Sequence, residues 1–148
     1  MSVLSKIPTM LDVPGCTTKV AADRLYSVEN LWLKQMDNEH IVLGLTDRLQ
    51  ALISNVVSIS LKPLGEAFGQ DELFGYIEGY KMNVDLVSPI TGMVVRNNGA
   101  RAGFSDIVAG PVNVDPYGMG WLAVIKLLNP GELKALLTPE QYVQLTKK

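Results

Sequence analysis

The segment running from Tyr76 to Gly92, with Glu78, Gly79, Tyr80, Lys81 and Met82 at its centre, sets one lysine between two apolar runs. Pro89 follows that lysine by eight residues and Gly92 by eleven. A lysine at the tip of a tight hairpin projects its amine away from the protein body, where a modifying enzyme can reach it. The paired strands hold the tip at a fixed position, as a carrier arm requires. Taken alone, a lysine in a turn is ordinarily just a solvated charge. Glu78, three residues earlier, reads by itself as an exposed strand charge. Gly79 and Gly92 are expected to serve backbone geometry at the hairpin and the turn.

Little else in the chain offers chemistry. Cys16 is the single cysteine and His40 the single histidine, so an intrachain disulfide and a Cys/His zinc site are both out of reach. Cys16 has no histidine nearby to activate it and reads as a buried or loop residue. His40, in Asp37-Asn38-Glu39-His40, reads as part of a solvated hairpin tip. No catalytic acid/base pair stands out, and the chain is not expected to be an enzyme by itself.

The elements that must position Lys81 read mainly as β. Residues 1–25 are expected to form a leader, with a short helix over Thr17 to Leu25, and residues 26–148 the domain. Leu31-Trp32-Leu33 and Ile41 to Gly44 bracket a polar tip and predict a hairpin. Thr46 is placed to cap a short helix carrying Leu49, Leu52 and Ile53 at helical spacing. Strands are predicted over Val56–Leu61, Leu73–Glu78, Val84–Val87, Met93–Val95 and Trp121–Leu127. Gly118 and Gly120 read as structural, and Trp121 as a core aromatic. Asn129-Pro130 and Thr138-Pro139-Glu140-Gln141 mark the starts of two short C-terminal helices, the second with a capping box. Six or more short strands with peripheral helices imply a sandwich or flattened barrel.

Composition narrows the classes. The 148 residues allow one domain of ordinary size, and 47% hydrophobic with 19% charged residues supports a real core. A net charge of -2 without a basic run excludes phosphate-backbone binding as the expected role. No stretch qualifies as a membrane span, and the first residues lack the layout of a signal peptide. A cytoplasmic, monomeric protein with neither nucleic acid nor membrane as partner is expected.

The central segment resembles the lipoyl/biotinyl carrier family, whose hairpin carries Glu-x-x-Lys followed by Pro-x-x-Gly. The chain looks most like the H proteins of the glycine cleavage system, over about Tyr26 to Leu145. Gly44-Leu45-Thr46-Asp47 with Gln50 is similar to that family's Gly-Ile-Thr-Asp…Gln block, and Glu78 to Lys81 to its Glu-Ser-Val-Lys. Ser88 to Gly92 matches Ser-Pro-Val-Ser-Gly, and Asn97 or Asn98 falls near the family's asparagine after the next strand. Val112 to Leu122 matches Val-Asn-x-Asp-Pro-Tyr-Gly-x-Gly-Trp-Leu almost throughout.

The resemblance implies a mainly β, flattened barrel/sandwich (a barrel-sandwich hybrid) with short peripheral helices and a helical C-terminal segment. It also implies lipoate joined to Lys81 as N6-lipoyllysine, with Glu78 read by the ligase or transferase. Its implied partners are glycine decarboxylase, aminomethyltransferase and dihydrolipoamide dehydrogenase. The chain departs from the family where His-Glu becomes Asn30-Leu31 in the region that helps line the cleft for the loaded arm. It departs again at Tyr80 and Met82, where most members have Val and Ala, and at Lys62-Pro63, where they have Leu-Pro. Met after the lysine is typical of biotinyl domains, but the H-protein blocks elsewhere favour lipoate. Three readings stand: a glycine-cleavage carrier, a lipoyl carrier for another redox system such as heterodisulfide-reductase-like sulfur oxidation, and an unmodified interaction domain. Tyr80 and Met82 either shield the base of the arm or are simply exposed.

Overall fold

The computed structural model describes residues 9–11, 19–99 and 109–146. Cys16 and most of the expected leader lie outside the described residues. Nine strands occur among the described residues: β1 Leu25–Tyr26, β2 Leu31–Gln35, β3 His40–Leu45, β4 Val56–Leu61, β5 Ala67–Phe68, β6 Leu73–Gly79, β7 Val84–Val87, β8 Gly92–Asn97 and β9 Ala123–Leu127. They form a six-stranded sheet in the order β1-β2-β3-β9-β8-β5 and a three-stranded sheet in the order β4-β6-β7. All the strand pairs are antiparallel. The mainly β, sandwich-like architecture agrees with the sequence. Among the described residues the two sheets share no ladder of hydrogen bonds, so they form an open sandwich and not a closed barrel.

Alternation along the large sheet explains its burial. Leu31, Leu33, Ile41, Leu43, Leu45, Ile125 and Leu127 face the small sheet and meet Ile59, Phe74, Ile77 and Leu86 in the main core. The intervening Trp32, Val42 and Val124 face the other way, into a second core with Val20, Ala21, Tyr117, Trp121, Tyr142 and Val143. A strand residue points to alternate faces, so a strand covered on both sides reads as an unbroken apolar run. This is why Leu31-Trp32-Leu33 shows no alternation.

The second core is built by the chain's ends. Residues 19–25 contain no helix, contrary to expectation. They run as a strap, with Leu11 N–H donating to Val20 carbonyl and Ala22 N–H to Thr9 carbonyl, each at 2.7 Å. Arg24 lies with its guanidinium 4.4 Å from the Trp32 ring centroid and 5.4 Å from that of Tyr117, and donates to the Tyr117 carbonyl. Burial pushes the Tyr26 and Tyr117 phenols well above their ordinary value. Tyr26 also stacks on Tyr142, with ring centroids 4.5 Å apart.

Among the described residues three α-helices flank the sheets: α1 Asp47–Ile53, α2 Ala109–Val114 and α3 Pro139–Thr146. Thr46 caps α1 as read from sequence, its Oγ1 accepting from Leu49 N–H. Thr138 and Gln141 form the expected reciprocal box ahead of α3. Asn129 does not cap with its side chain, and the element after it, Pro130–Ala135, is a 3-10 helix. Its Glu132 instead binds Thr91 through the backbone N–H and the hydroxyl.

Candidate functional site

Strands β6 and β7 pair as far as Ile77 opposite Val84, and the chain turns over between them. Lys81 stands in that turn and is exposed, as are Tyr80, Met82 and Asn83. The sequence-derived placement of this lysine at a hairpin tip is therefore what the fold builds. Among the described residues, neither Lys81 nor Glu78 takes part in an ion pair. Glu78 sits exposed on β6, opposite Ser58 of β4.

The tip is seated by backbone atoms that sequence reasoning missed. Lys81 N–H donates to the carbonyl of Ile53, the last residue of α1, at 3.2 Å, and Tyr80 N–H donates to the Asn55 carbonyl at 3.0 Å. Gly79 N–H reaches the Asn83 side-chain oxygen at 3.4 Å across the turn. A Cβ on Gly79 would run into the Ile53 side chain and lie 3.0 Å from the Met82 carbonyl oxygen and 3.2 Å from that of Ile53. Only a residue without a Cβ lets the tip settle so closely on α1. The seat itself turns on Ser54, whose φ of 69° places a non-glycine residue in the left-handed region.

The remaining motif residues act at a distance from Lys81. Ser88 to Gly92 lies at the opposite end of β7 from the tip. There the buried Ser88 hydroxyl donates to the Ile90 carbonyl at 2.6 Å, and a Cβ on Gly92 would press on Ile125 and on the Lys126 carbonyl. Asn113, in α2, pairs with the backbone of Val56 in both directions, at 2.7 and 2.9 Å, and so anchors β4 beside the tip. Gly120 packs where a Cβ would strike the Val112 Cα and the Pro111 carbonyl. Trp121 is buried in the second core, as its reading as a core aromatic expects. Of the two asparagines, Asn98 donates to the Met119 and Trp121 carbonyls and Asn97 is buried.

Asn30 and Leu31 offer no charged group to a loaded arm. Asn30 has a φ of 68° and accepts from the Tyr142 hydroxyl at 2.6 Å, while Leu31 is 1% exposed in the main core. Among the described residues no cluster of His, Cys, Asp and Glu is placed to hold a metal, and no helix is long and apolar enough to cross a membrane.

A family model described as "Glycine cleavage H-protein" matches residues 24–148. A glycine cleavage system H protein of Chlorobium phaeovibrioides is 33% identical over 136 residues, covering 91% of this chain and 98% of that protein. One of Carboxydothermus hydrogenoformans is 34% identical over 131 residues, covering 87% and 95% respectively. The crystal structure of a glycine cleavage system H protein from Mycobacterium marinum superposes with a TM-score of 0.72 at 25% identity. It covers 84% of this chain and 97% of that one.

Proposed function

The chain belongs to the glycine cleavage H-protein family, and on that footing we propose that it is a carrier whose lipoyl arm is attached at Lys81. The observation that carries this reading is an exposed lysine, in no ion pair among the described residues, at a hairpin tip whose backbone is tied to Ile53 at the end of α1 and to Asn55 just beyond it. Such an amine is open to acylation, while its Cα is held still. In the proposed reaction the Lys81 nitrogen forms an amide with the carboxyl carbon of an activated lipoyl group, whose activating group leaves. The Lys81 ammonium gives up two of its three protons and becomes a neutral secondary amide that keeps one N–H. The formal net charge then falls from -2 to -3. Glu78, exposed three residues before, is proposed as a contact for the ligase or transferase.

Once in place, the lipoyl group supplies reversible thiol–disulfide exchange at the end of a long flexible arm. The protein's own part is to fix the root of the arm and to present a recognisable surface. The proposed partners are glycine decarboxylase, aminomethyltransferase and dihydrolipoamide dehydrogenase, in the cytoplasm, with this chain as a non-catalytic subunit. Reconstitution tests the assignment. Lipoylated protein added to glycine decarboxylase is expected to stimulate glycine–bicarbonate exchange, and lipoylated protein that fails to do so contradicts it.

One observation favours a second reading. Asn30 already accepts from the Tyr142 hydroxyl and Leu31 is buried, so neither presents a charged or imidazole group to an amine on the arm. A carrier serving a different lipoyl-dependent redox system, such as heterodisulfide-reductase-like sulfur oxidation, would not need them to. The exchange assay divides these two readings.

A further inference from the structure

We propose that Leu52, Val57, Tyr80 and Met82 form an apolar collar on which the lipoyl chain rooted at Lys81 rests. The inference depends on Lys81 being the attachment point and concerns what happens to the arm after attachment.

Four large apolar side chains are left in water on the stretches of backbone that meet at the hairpin tip: Leu52 is 47% exposed, Val57 53%, Tyr80 76% and Met82 44%. They come from three separate stretches of chain that the tip's hydrogen bonds bring together. Leu52 precedes Ile53, whose carbonyl accepts from Lys81, and Tyr80 and Met82 flank Lys81 itself. Val57 is the unpaired residue of a bulge in β4, between Val56, which pairs with Gly79, and Ser58, which pairs with Glu78. A bulge leaves one residue out of the ladder and re-aims its side chain. Singly exposed apolar residues are ordinary, whereas a cluster about one point marks a surface with an occupant.

The chemistry of the arm selects that occupant. Before acylation the Lys81 ammonium is drawn to water. Acylation replaces it with a neutral amide followed by a run of methylenes, so the same side chain becomes apolar along most of its length. Burial of apolar surface is favourable in proportion to area. The tether supplies a high effective concentration, so even a weak contact is populated. The Tyr80 ring offers a flat apolar face and the Met82 thioether an adaptable one. The occupant is therefore the part of the arm nearest the amide, with the distal ring left free to exchange.

The test uses the full chain carrying lipoate labelled with carbon-13 along its methylenes, with intact mass confirming attachment in each sample. NMR of the lipoylated wild type is expected to show amide shifts at Leu52 and Val57 relative to unmodified protein. The proximal methylenes should have transverse relaxation about twofold faster than in the Tyr80→Ala/Met82→Ala double variant. Tyr76→Ala, an exposed position on β6 further from the tip, is expected to leave that relaxation unchanged. Shifts confined to Tyr80–Asn83, with equal relaxation in wild type and double variant, overturn the collar while leaving the attachment intact. An unmodified mass overturns both.

Discussion

The backbone N–H of Lys81 donates to the carbonyl of Ile53 at 3.2 Å, so the hairpin tip is fastened to the end of α1. The site's position thus depends on a helix nearly thirty residues earlier in the chain. Gly79 is the residue that permits this approach. Gly79→Ala is expected to destabilise the protein by about 1–3 kcal/mol, because its Cβ meets two carbonyls that cannot both retreat. The substitution should also loosen the tip, raising amide hydrogen exchange at Tyr80 and Lys81 more than in β2 or β3. Unchanged exchange at those two amides would contradict the seating.

The other end of α1 is tied to the C-terminal helix. The Tyr142 hydroxyl lies 2.9 Å from Thr46 Oγ1 and 2.6 Å from Asn30 Oδ1, and Thr46 caps α1. Tyr142→Phe removes the hydroxyl that joins the part-buried Asn30 Oδ1 to the buried Thr46 Oγ1 and is expected to cost about 1–2 kcal/mol in denaturant unfolding. Thr46→Ala removes the cap as well and should cost a similar amount or more, about 1–2 kcal/mol. Because both act through the same network, the double variant is expected to fall short of the sum.

Gly44 faces the indole of Trp32, and a Cβ there would sit against its ring atoms. Trp32 is buried and its Nε1–H donates to the Pro116 carbonyl at 3.0 Å, so the ring cannot move aside without losing that bond. Gly44→Ala is expected to destabilise the fold by about 1–3 kcal/mol, measured as a shift of the denaturation midpoint.

Acid stability is expected to carry the signature of Asp23. Burial pushes its carboxyl up, but hydrogen bonds and charges from Arg24 and Lys34 outweigh this and hold it below its ordinary value of 3.8. A carboxyl depressed in the folded state contributes stability above its unfolded value, and that contribution disappears as pH falls through the folded one. Asp23→Asn should therefore lose less stability than wild type on acidification below about pH 4. At neutral pH the variant should be weaker by no more than about 1 kcal/mol, since the carboxylate is part-exposed. Parallel acid limbs in the two proteins would contradict the assignment.

How far the sequence foretold the molecule depended on whether the signal was local. The β2–β3 hairpin, the Thr46 cap, the Thr138 box and the lysine tip all announce themselves within a few residues, and the structure builds each of them. The strap at residues 19–25 was misread as helix because its conformation is set from outside, by bonds to residues 9–11 and by burial of Val20 and Ala21. Helix α2 went unnoticed since Gly110 and Pro111 are poor helix formers. The final strand begins at Ala123 rather than Trp121, because Trp121 N–H still closes a turn on the Gly118 carbonyl and Leu122 meets β3 only through its N–H to the Leu43 carbonyl. The seat of Lys81 on Ile53 and Asn55 uses backbone carbonyls, which no side-chain pattern reports.

The central claim, that Lys81 is the root of a lipoyl arm, is tested most directly by intact mass and peptide mapping of the full chain. The protein should be produced with lipoate and a competent lipoate-attaching enzyme. The account predicts a single lipoyl addition that maps to the peptide containing Lys81 and vanishes in Lys81→Arg. An unmodified mass under those conditions, or an addition that survives Lys81→Arg, would contradict it.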